Sequence, residues 1–556
     1  MDGLITRPAD EASLQATAGY ALLDRAVQRF GNRPALDFMG RRTRYAELGR
    51  LVDRAAAGLQ KLGVTKGVKV GLCLPNCPYF VILYFAILKV GGTVVNFNPL
   101  YTEREIAAQA QSAEVEIMVS LDLVAIHGKI APLAAAGLFK RVILCRMAAA
   151  LTPLKAALFR LLKAKEIAHV PDLAPYVPFE RLIAGAVKPA PVAIDPLHDI
   201  AVLQFTGGTT GTPKAAMLSH ANITLNVAQV AAAITGVHEG EERILAVLPF
   251  FHVFAMTSIM NHGLSIGAEL VLLPRLEIPA LLQTITRRRP TVLPGVPTLF
   301  TAICNAAEAK GGLDLSFLHF CISGGAPLSL EICQRFARVA HCEILEGYGL
   351  SETSPVVSFN RPGATRHGSV GQAMPGTVIE IRDPEHPERL MPAGERGEIC
   401  IRGPQVMQGY YHREAETEAV FIDGALRTGD IGYVDADGYL FIVDRIKDLI
   451  LCGGYNVYPR VIEEAAYEHP AVQDAIAIGV PDAYRGQAPK LFVTLRDGHS
   501  GEPGEILAFL SERLNKIEMP RMVEIRASLP KTMVGKLSKK ELVAEETAKA
   551  APPPGA

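Results

Sequence analysis

Val68-Lys69-Val70-Gly71-Leu72-Cys73-Leu74 is a short apolar run; an unbroken apolar stretch from Tyr79 to Leu88 follows, closed by Lys89, and then Thr93-Val94-Val95-Asn96-Phe97. Runs of five to seven residues rich in β-branched side chains suit strands, and the stretch between them suits a helix. Strand, helix, strand in that order predicts two parallel strands joined by a crossover helix. The apolar stretch is about half the length that crosses a bilayer, so it reads as a core helix.

The same alternation continues outward. A helix is expected from Thr102, and further strands at 115–120, 142–145, 200–206, 243–249, 268–273, 291–294, 318–323 and 342–346, most followed by ten or more residues of helical period. That pattern implies an α/β fold with parallel sheets covered by helices on both faces. After residue 360 it gives way to short strands with Gly and Pro turns at 377–382, 397–402, 432–434 and 439–443, then to a compact α+β segment over about 448–544. The charged cluster Asp444-Arg445-Ile446-Lys447-Asp448 marks a domain boundary. The Ala- and Pro-rich residues 547–556 are expected to be a disordered tail.

A chain of 556 residues, 49% hydrophobic and 20% charged, buries a large core and is no small binding module. Fifty-six Lys and Arg against 57 Asp and Glu leave a net charge of −1, which argues against nucleic acid. Any anion must be held locally. Cys73, Cys77, Cys145, Cys304, Cys321, Cys333, Cys342, Cys400 and Cys452 are odd in number and form neither a C-x-x-C pair nor a zinc spacing. They read as buried, reduced thiols of a cytoplasmic protein. Met1-Asp2-Gly3-Leu4-Ile5-Thr6-Arg7-Pro8 lacks the apolar core of a secretory signal.

Residues 150–166 carry Leu151, Leu154, Ala157, Leu158, Leu161 and Leu162 on one side, and Lys155, Arg160, Lys163 and Lys165 on the other. The expected arrangement is an amphipathic helix lying on the protein's own core; a membrane-surface helix is the other reading.

The motif richest in chemistry is Thr206-Gly207-Gly208-Thr209-Thr210-Gly211-Thr212-Pro213-Lys214, expected between the strand at 200–205 and a helix-like run from His220. Backbone N–H groups, threonine hydroxyls and the Lys214 charge can together wrap a polyphosphate. A nucleotide-binding loop of the Walker type needs Gly-Lys-Ser/Thr, but Pro213 precedes this lysine and Ala215 follows it.

Four more stretches accompany that loop in order: Glu346-Gly347-Tyr348-Gly349-Leu350-Ser351-Glu352-Thr353, Arg427-Thr428-Gly429-Asp430, the Asp444 to Asp448 cluster, and Leu529-Pro530-Lys531-Thr532-Met533-Val534-Gly535-Lys536. Together they resemble the AMP-forming acyl-CoA synthetases of the adenylate-forming superfamily, over about residues 20 to 545. The resemblance implies a large N-terminal domain (1–444) of two stacked α/β sheets, with a small β-barrel-like subdomain near 360–444. It also implies a small, mobile α+β C-terminal domain (445–546). In that family a carboxylate attacks ATP to give an acyl-AMP and pyrophosphate, and CoA then displaces AMP. The first step needs charge neutralisation and in-line positioning more than acid–base help.

The resemblance gives each motif a role. Thr206, Gly207, Gly208, Thr209, Thr210, Gly211 and Lys214 would hold the β- and γ-phosphates, and Thr206 with Glu352 would orient Mg²⁺. Gly324, Gly325, Ala326 and Pro327 would line the adenine slot with Glu346, Gly347, Tyr348 and Gly349; Ser351, where the family usually has Thr, would bond the α-phosphate. Asp430 and Arg445 would hold the ribose, Lys447 would be the hinge, and Lys536 would bridge acyl carboxylate and α-phosphate. Catalysis would rest on Lys536, Lys214, Glu352 and Thr206. Phe251, His252, Val253, Phe254 and Gly325 would bound the acyl pocket, with His252 equally readable as a core residue. Gly453, Gly454 and Tyr455 would line the CoA channel. Ala215 stands where the family generally has Gly, the position to inspect for strain.

No acidic group lies between Pro249 and Met256 to meet a substrate ammonium, so a lipid or aryl acid is expected rather than an amino acid. The insert at about 146–190 and the Phe205-Thr206-Gly207-Gly208 form of the loop resemble bacterial long-chain fatty acid–CoA ligases. The alternatives are a medium-chain or aryl acid–CoA ligase, a fatty-acyl-AMP ligase, or a non-catalytic acyl or nucleotide binder. Expected partners are the fatty acid, ATP and CoA; a peripheral position on the inner face of the cell membrane and a homodimer stay open.

Overall fold

The computed structural model describes residues 4–6, 14–171, 173–185, 188–206, 213–309, 311–453, 455–482, 484–496, 498–532 and 535–550. Gly207, Gly208, Thr209, Thr210, Gly211 and Gly454 lie outside the described residues, as do residues 551–556 of the expected tail.

The opening βαβ unit is present: strands Lys69–Cys73 and Thr93–Asn96 pair in parallel around helix Pro78–Lys89. Tyr79 to Leu88 are buried at every position, as a helix apolar on all sides must be. These strands belong to a seven-stranded sheet ordered Lys214–Ser219, Ile200–Thr206, Thr93–Asn96, Lys69–Cys73, Ile117–Leu121, Arg141–Cys145 and Tyr176–Pro178. A second, nine-stranded sheet includes Arg243–Ala246, Val292–Gly295, Phe320–Gly324 and Ile344–Gly349, mutually parallel where they pair. One continuous apolar cluster joins side chains of both sheets and of the buried helix between them. The edge of the second sheet carries Pro34–Phe38 and Arg41–Arg44, a hairpin outside the expected strands.

A six-stranded sheet containing Val378–Arg382, Gly397–Arg402, Ala425–Val434 and Leu440–Arg445 stands where the β-rich subdomain is expected, around a cluster that includes Ile379, Ile381, Ile399, Ile401 and Leu440. The last body is a five-stranded sheet built on the long hairpin Val472–Asp482 and Gly486–Leu495, with its own apolar cluster. It docks on the preceding chain through Arg460, whose amide donates to Asp444 Oδ2 at 2.9 Å, and through the ion pair Arg496–Glu331 at 3.1 Å.

Three expectations are corrected. Helix His220–Ala233 starts where it is expected, but the residues between it and the glycine-rich loop, Lys214–Ser219, form a strand outside the expected set, antiparallel to Ile200–Thr206 with Lys214 opposite Thr206. The loop therefore closes a hairpin, which returns Lys214 to the level of Thr206. Helix Pro153–Leu162 buries Ala156, with Phe159 packed against the core, and turns its leucines outward: Leu154, Leu158, Leu161 and Leu162 are 45 to 77% exposed. The tail is not irregular from residue 547, because helix Lys540–Ala550 continues through its first four residues. Ala215 is buried opposite Phe205, and its carbonyl accepts from the Tyr411 amide at 2.9 Å. It is not among the described non-glycine residues with positive φ, so its methyl group is accommodated without backbone strain.

Candidate active site

The carboxyl ends of Val292–Gly295, Phe320–Gly324 and Ile344–Gly349 lie side by side, with Gly295 opposite Ser323 and Gly324 opposite Gly347. Ligands of parallel α/β sheets bind beyond such ends. Glycine is required where backbones crowd: a Cβ on Gly349 would lie 2.0 Å from the Pro355 carbonyl oxygen. Gly325 has φ +81°, and a Cβ there would lie 2.6 Å from both Cε and Nζ of Lys536. The lysine reaches this spot because Lys531 is paired with Asp474 at 2.9 Å and the Thr298 hydroxyl donates to the Gly535 carbonyl at 2.7 Å. Burial, and secondarily the charge of Arg445, pushes Lys536 down to about 8.

Lys536 also faces His252. Burial, reinforced by the Lys536 charge, holds that imidazole down to about 3, so it is neutral and an acceptor; its Nδ1 accepts from the Phe254 amide at 3.3 Å. The apolar turn is fixed from both sides. Gln204 Nε2 donates to the Phe251 carbonyl at 3.0 Å, and the Phe250 amide donates to Asn76 Oδ1 at 2.8 Å. Val253 is buried, and Phe254 lies within 3.3 Å of a Cβ placed on Gly324.

Asp430 and Arg445 face each other on adjacent strands, 3.2 Å apart, and the Tyr348 hydroxyl donates to the other Asp430 oxygen at 2.6 Å. Burial raises the Asp430 carboxyl from its usual range, against the pull of Arg445. Lys447 follows on the turn Ile446–Asp448, where burial and then Arg445 lower its pKa. Glu346 is buried and raised to about 7 by that burial; its Oε1 accepts from the Leu328 amide at 3.3 Å, which braces the segment after Ala326 and Pro327.

Glu352 and Ser351 lie on the short turn Ser351–Thr353, which packs against the strands on both sides of the glycine-rich loop and so comes near Thr206. Glu352 is raised by burial, and its Oε1 accepts from the Tyr410 hydroxyl at 2.9 Å. Lys214 Nζ stands 5.1 Å from the centre of the Tyr410 ring. Tyr410 thus links the lysine and the carboxylate. The sequence reading missed it, since Gly409-Tyr410-Tyr411 carries no titratable pattern; the pairing of Ala216 with Tyr410 brings it in. Gly453 and Tyr455 lie on an exposed hairpin, Tyr455 at its surface.

Two family models match the chain. The model described as AMP-binding enzyme matches residues 23–411, and that described as AMP-binding enzyme C-terminal domain matches 461–536. The chain belongs to the AMP-binding enzyme family. Among family members, the long-chain-fatty-acid–CoA ligase of Bacillus subtilis is 39% identical over 535 residues, covering 95% of this chain and 94% of that protein. The ATP-bound crystal structure of MatB from Rhodopseudomonas palustris superposes with a TM-score of 0.81 at 28% identity, covering 95% and 99% of the two chains. The anthranilate–CoA ligase AuaEII, in complex with anthranoyl-AMP, gives a TM-score of 0.86 at 25% identity, covering 97% and 99%.

Proposed function

We propose that this enzyme activates a long-chain fatty acid with ATP and passes the acyl group to CoA. The observation that carries the reading is a narrow, mostly apolar cavity that runs from Phe254 along Pro294, Ile322 and Phe320, away from the Gly324 and Lys536 end of the sheet. Such a channel takes a hydrocarbon chain and leaves its carboxylate at Lys536. In the first half-reaction a carboxylate oxygen attacks the α-phosphorus, the bond to the bridging β-oxygen breaks, and pyrophosphate leaves. Lys536 holds attacking oxygen and α-phosphate together, Ser351 donates to that phosphate, Asp430 and Arg445 hold the ribose, and Tyr348, with Gly324 to Pro327, bounds the base. In the second, the CoA sulfur attacks the acyl carbon, AMP leaves, and the thiol proton passes to solvent.

Glu352, a buried carboxylate with a neutral hydroxyl partner, and the Thr206 hydroxyl are an all-oxygen donor set. That suits Mg²⁺, which takes one or two protein oxygens and leaves the rest to phosphates and water. When bound, it neutralises charge on the leaving pyrophosphate. Lys214 and the loop at 206–214 hold the β- and γ-phosphates beside it. Residues 445–546 act as a cap that swings about Lys447, bringing Gly453, Gly454 and Tyr455 to the CoA path once Lys536 withdraws. An assay with ATP, Mg²⁺, CoA and a ladder of acids tests the reading. AMP and thioester are expected, with kcat/KM rising toward long chains; ADP as product, or no thioester with any acid, sinks it. A maximum at an aryl or short acid would move the enzyme to the other substrate class.

No helix among the described residues is long and apolar enough to cross a membrane. Helix Pro153–Leu162, with four exposed leucines and Arg160, Lys163 and Lys165 exposed beside them, is the surface proposed for contact with lipid. Each leucine that leaves water gains about 1.5–3 kcal/mol, and each cation near an anionic surface about 1 kcal/mol. This chain is expected to sediment with vesicles containing phosphatidylglycerol. Leu158→Glu combined with Leu161→Glu should cut the bound fraction by about tenfold or more. Equal sedimentation of both proteins would exclude this helix as the anchor.

A further inference from the structure

The acyl cavity is not apolar throughout. Ser258 and His262 both line it, four residues apart on the helical segment that starts at Ala255, so they share a face. His262 is 5% exposed, and its ring is bonded to the Ser258 backbone. Among the described residues neither its Nε2 nor the Ser258 hydroxyl has a hydrogen-bond partner. Glu242, at the same cavity, is engaged: the His238 amide donates to Oε1 at 3.0 Å and the Thr291 hydroxyl faces Oε2. The two unpaired groups therefore offer a donor and an acceptor on residues that line the cavity. Burial lowers His262 to about 4, so the ring is neutral, and its bond to the Ser258 carbonyl leaves Nε2 without a proton. An alkyl chain satisfies neither atom, and an unmet buried polar group costs binding.

We infer that this pocket selects acids that carry a hydroxyl group part-way along the chain, the substrate O–H donating to His262 Nε2 and its oxygen accepting from the Ser258 hydroxyl. The inference rests on the reading of the cavity as the acyl channel. The pair lies one and two helical turns beyond Phe254, His262 on the order of 10 Å along the segment, so the hydroxyl belongs in the middle of the chain and not beside the carboxylate. Sites that hydrogen-bond a substrate hydroxyl discriminate strongly against the analogue without one, whereas an apolar pocket barely distinguishes the two.

The test is a ladder of monohydroxy octadecanoic acids, with the hydroxyl at successive carbons, against octadecanoic acid. The quantity read is the ratio of kcat/KM for hydroxylated over parent acid, within one protein, so a general loss of activity cancels. The unaltered enzyme should prefer a narrow band of mid-chain positions by about tenfold or more, and His262→Leu and Ser258→Ala should each lower that ratio about tenfold. Ser258→Ala removes a single oxygen and decides the matter if His262→Leu does not fold. A ratio near or below one at every position, or a preference that survives the substitutions, overturns the inference while leaving the ligase reading intact. No thioester from any acid, parent included, would instead overturn the ligase reading.

Discussion

Lys536→Ala is expected to lower acyl-AMP formation by about two to three orders of magnitude, the usual cost of removing one preorganised group from developing charge. Conversion of supplied acyl-AMP and CoA to thioester should stay within a few-fold of the unaltered enzyme. The asymmetry follows from placement. Lys536 touches Gly325 only because the C-terminal body is seated against the Thr298 hydroxyl, and a cap that turns to admit CoA carries the lysine away. Single-turnover pyrophosphate release and thioester formation from acyl-AMP measure the halves separately; equal loss in both would refute the two-position cap. The pH profile gives the same lysine a second signature. Lys536 sits at about 8 in the free enzyme, so its charge is present below that pH and lost above it. The kcat/KM for ATP in adenylation should therefore fall about tenfold per unit beyond pH 8. In kcat the fall should come at higher pH, because bound phosphates favour the ammonium form. A flat profile from pH 7 to 10 would remove Lys536 from the step.

The parallel strands were legible where a short apolar run rich in β-branched residues is buried on both faces, as at Thr93–Asn96 and Arg141–Cys145. Lys214–Ser219 was not. Lys-Ala-Ala-Met has little strand propensity, and its strand state comes from pairing with Ile200–Thr206 and from the Tyr411 amide, both distant information. Periodicity also found the leucine stripe at 150–166 but could not orient it: small Ala156 and the bulk of Phe159 seat the helix, leaving Leu154, Leu158, Leu161 and Leu162 outside while Leu151 is buried. At the site, motif order indicated Asp430, Glu352 and Lys536. Tyr410 was invisible because its role arises from standing between Glu352 and Lys214, which only the fold brings together.

Glu352→Gln should have opposite effects on activity and stability. The carboxylate is buried, with a neutral phenol as hydrogen-bond partner, and burial raises its pKa, so the folded protein disfavours its charge. A group raised in this way destabilises the fold at pH above its unfolded value, and that penalty vanishes as the pH falls and the carboxyl takes up its proton. Glutamine keeps the shape and an acceptor for Tyr410 without the charge. The variant should therefore melt a few degrees higher than the parent at pH 7, in the absence of nucleotide and Mg²⁺, with the gap closing toward pH 4. On the proposed reading, in which Glu352 holds Mg²⁺, catalysis needs the same charge. Without it a Mg²⁺ ion that Glu352 would hold would lose a carboxylate ligand, and kcat/KM for ATP should drop by about a hundredfold or more, partly recovered by raising Mg²⁺. Lys214 cannot compensate, since it already lies over the Tyr410 ring and carries charge of the same sign as the missing metal. A variant that is both less stable and insensitive to Mg²⁺ would make Glu352 a packing residue, and would leave the phosphate site to Thr206, Lys214 and the loop between them.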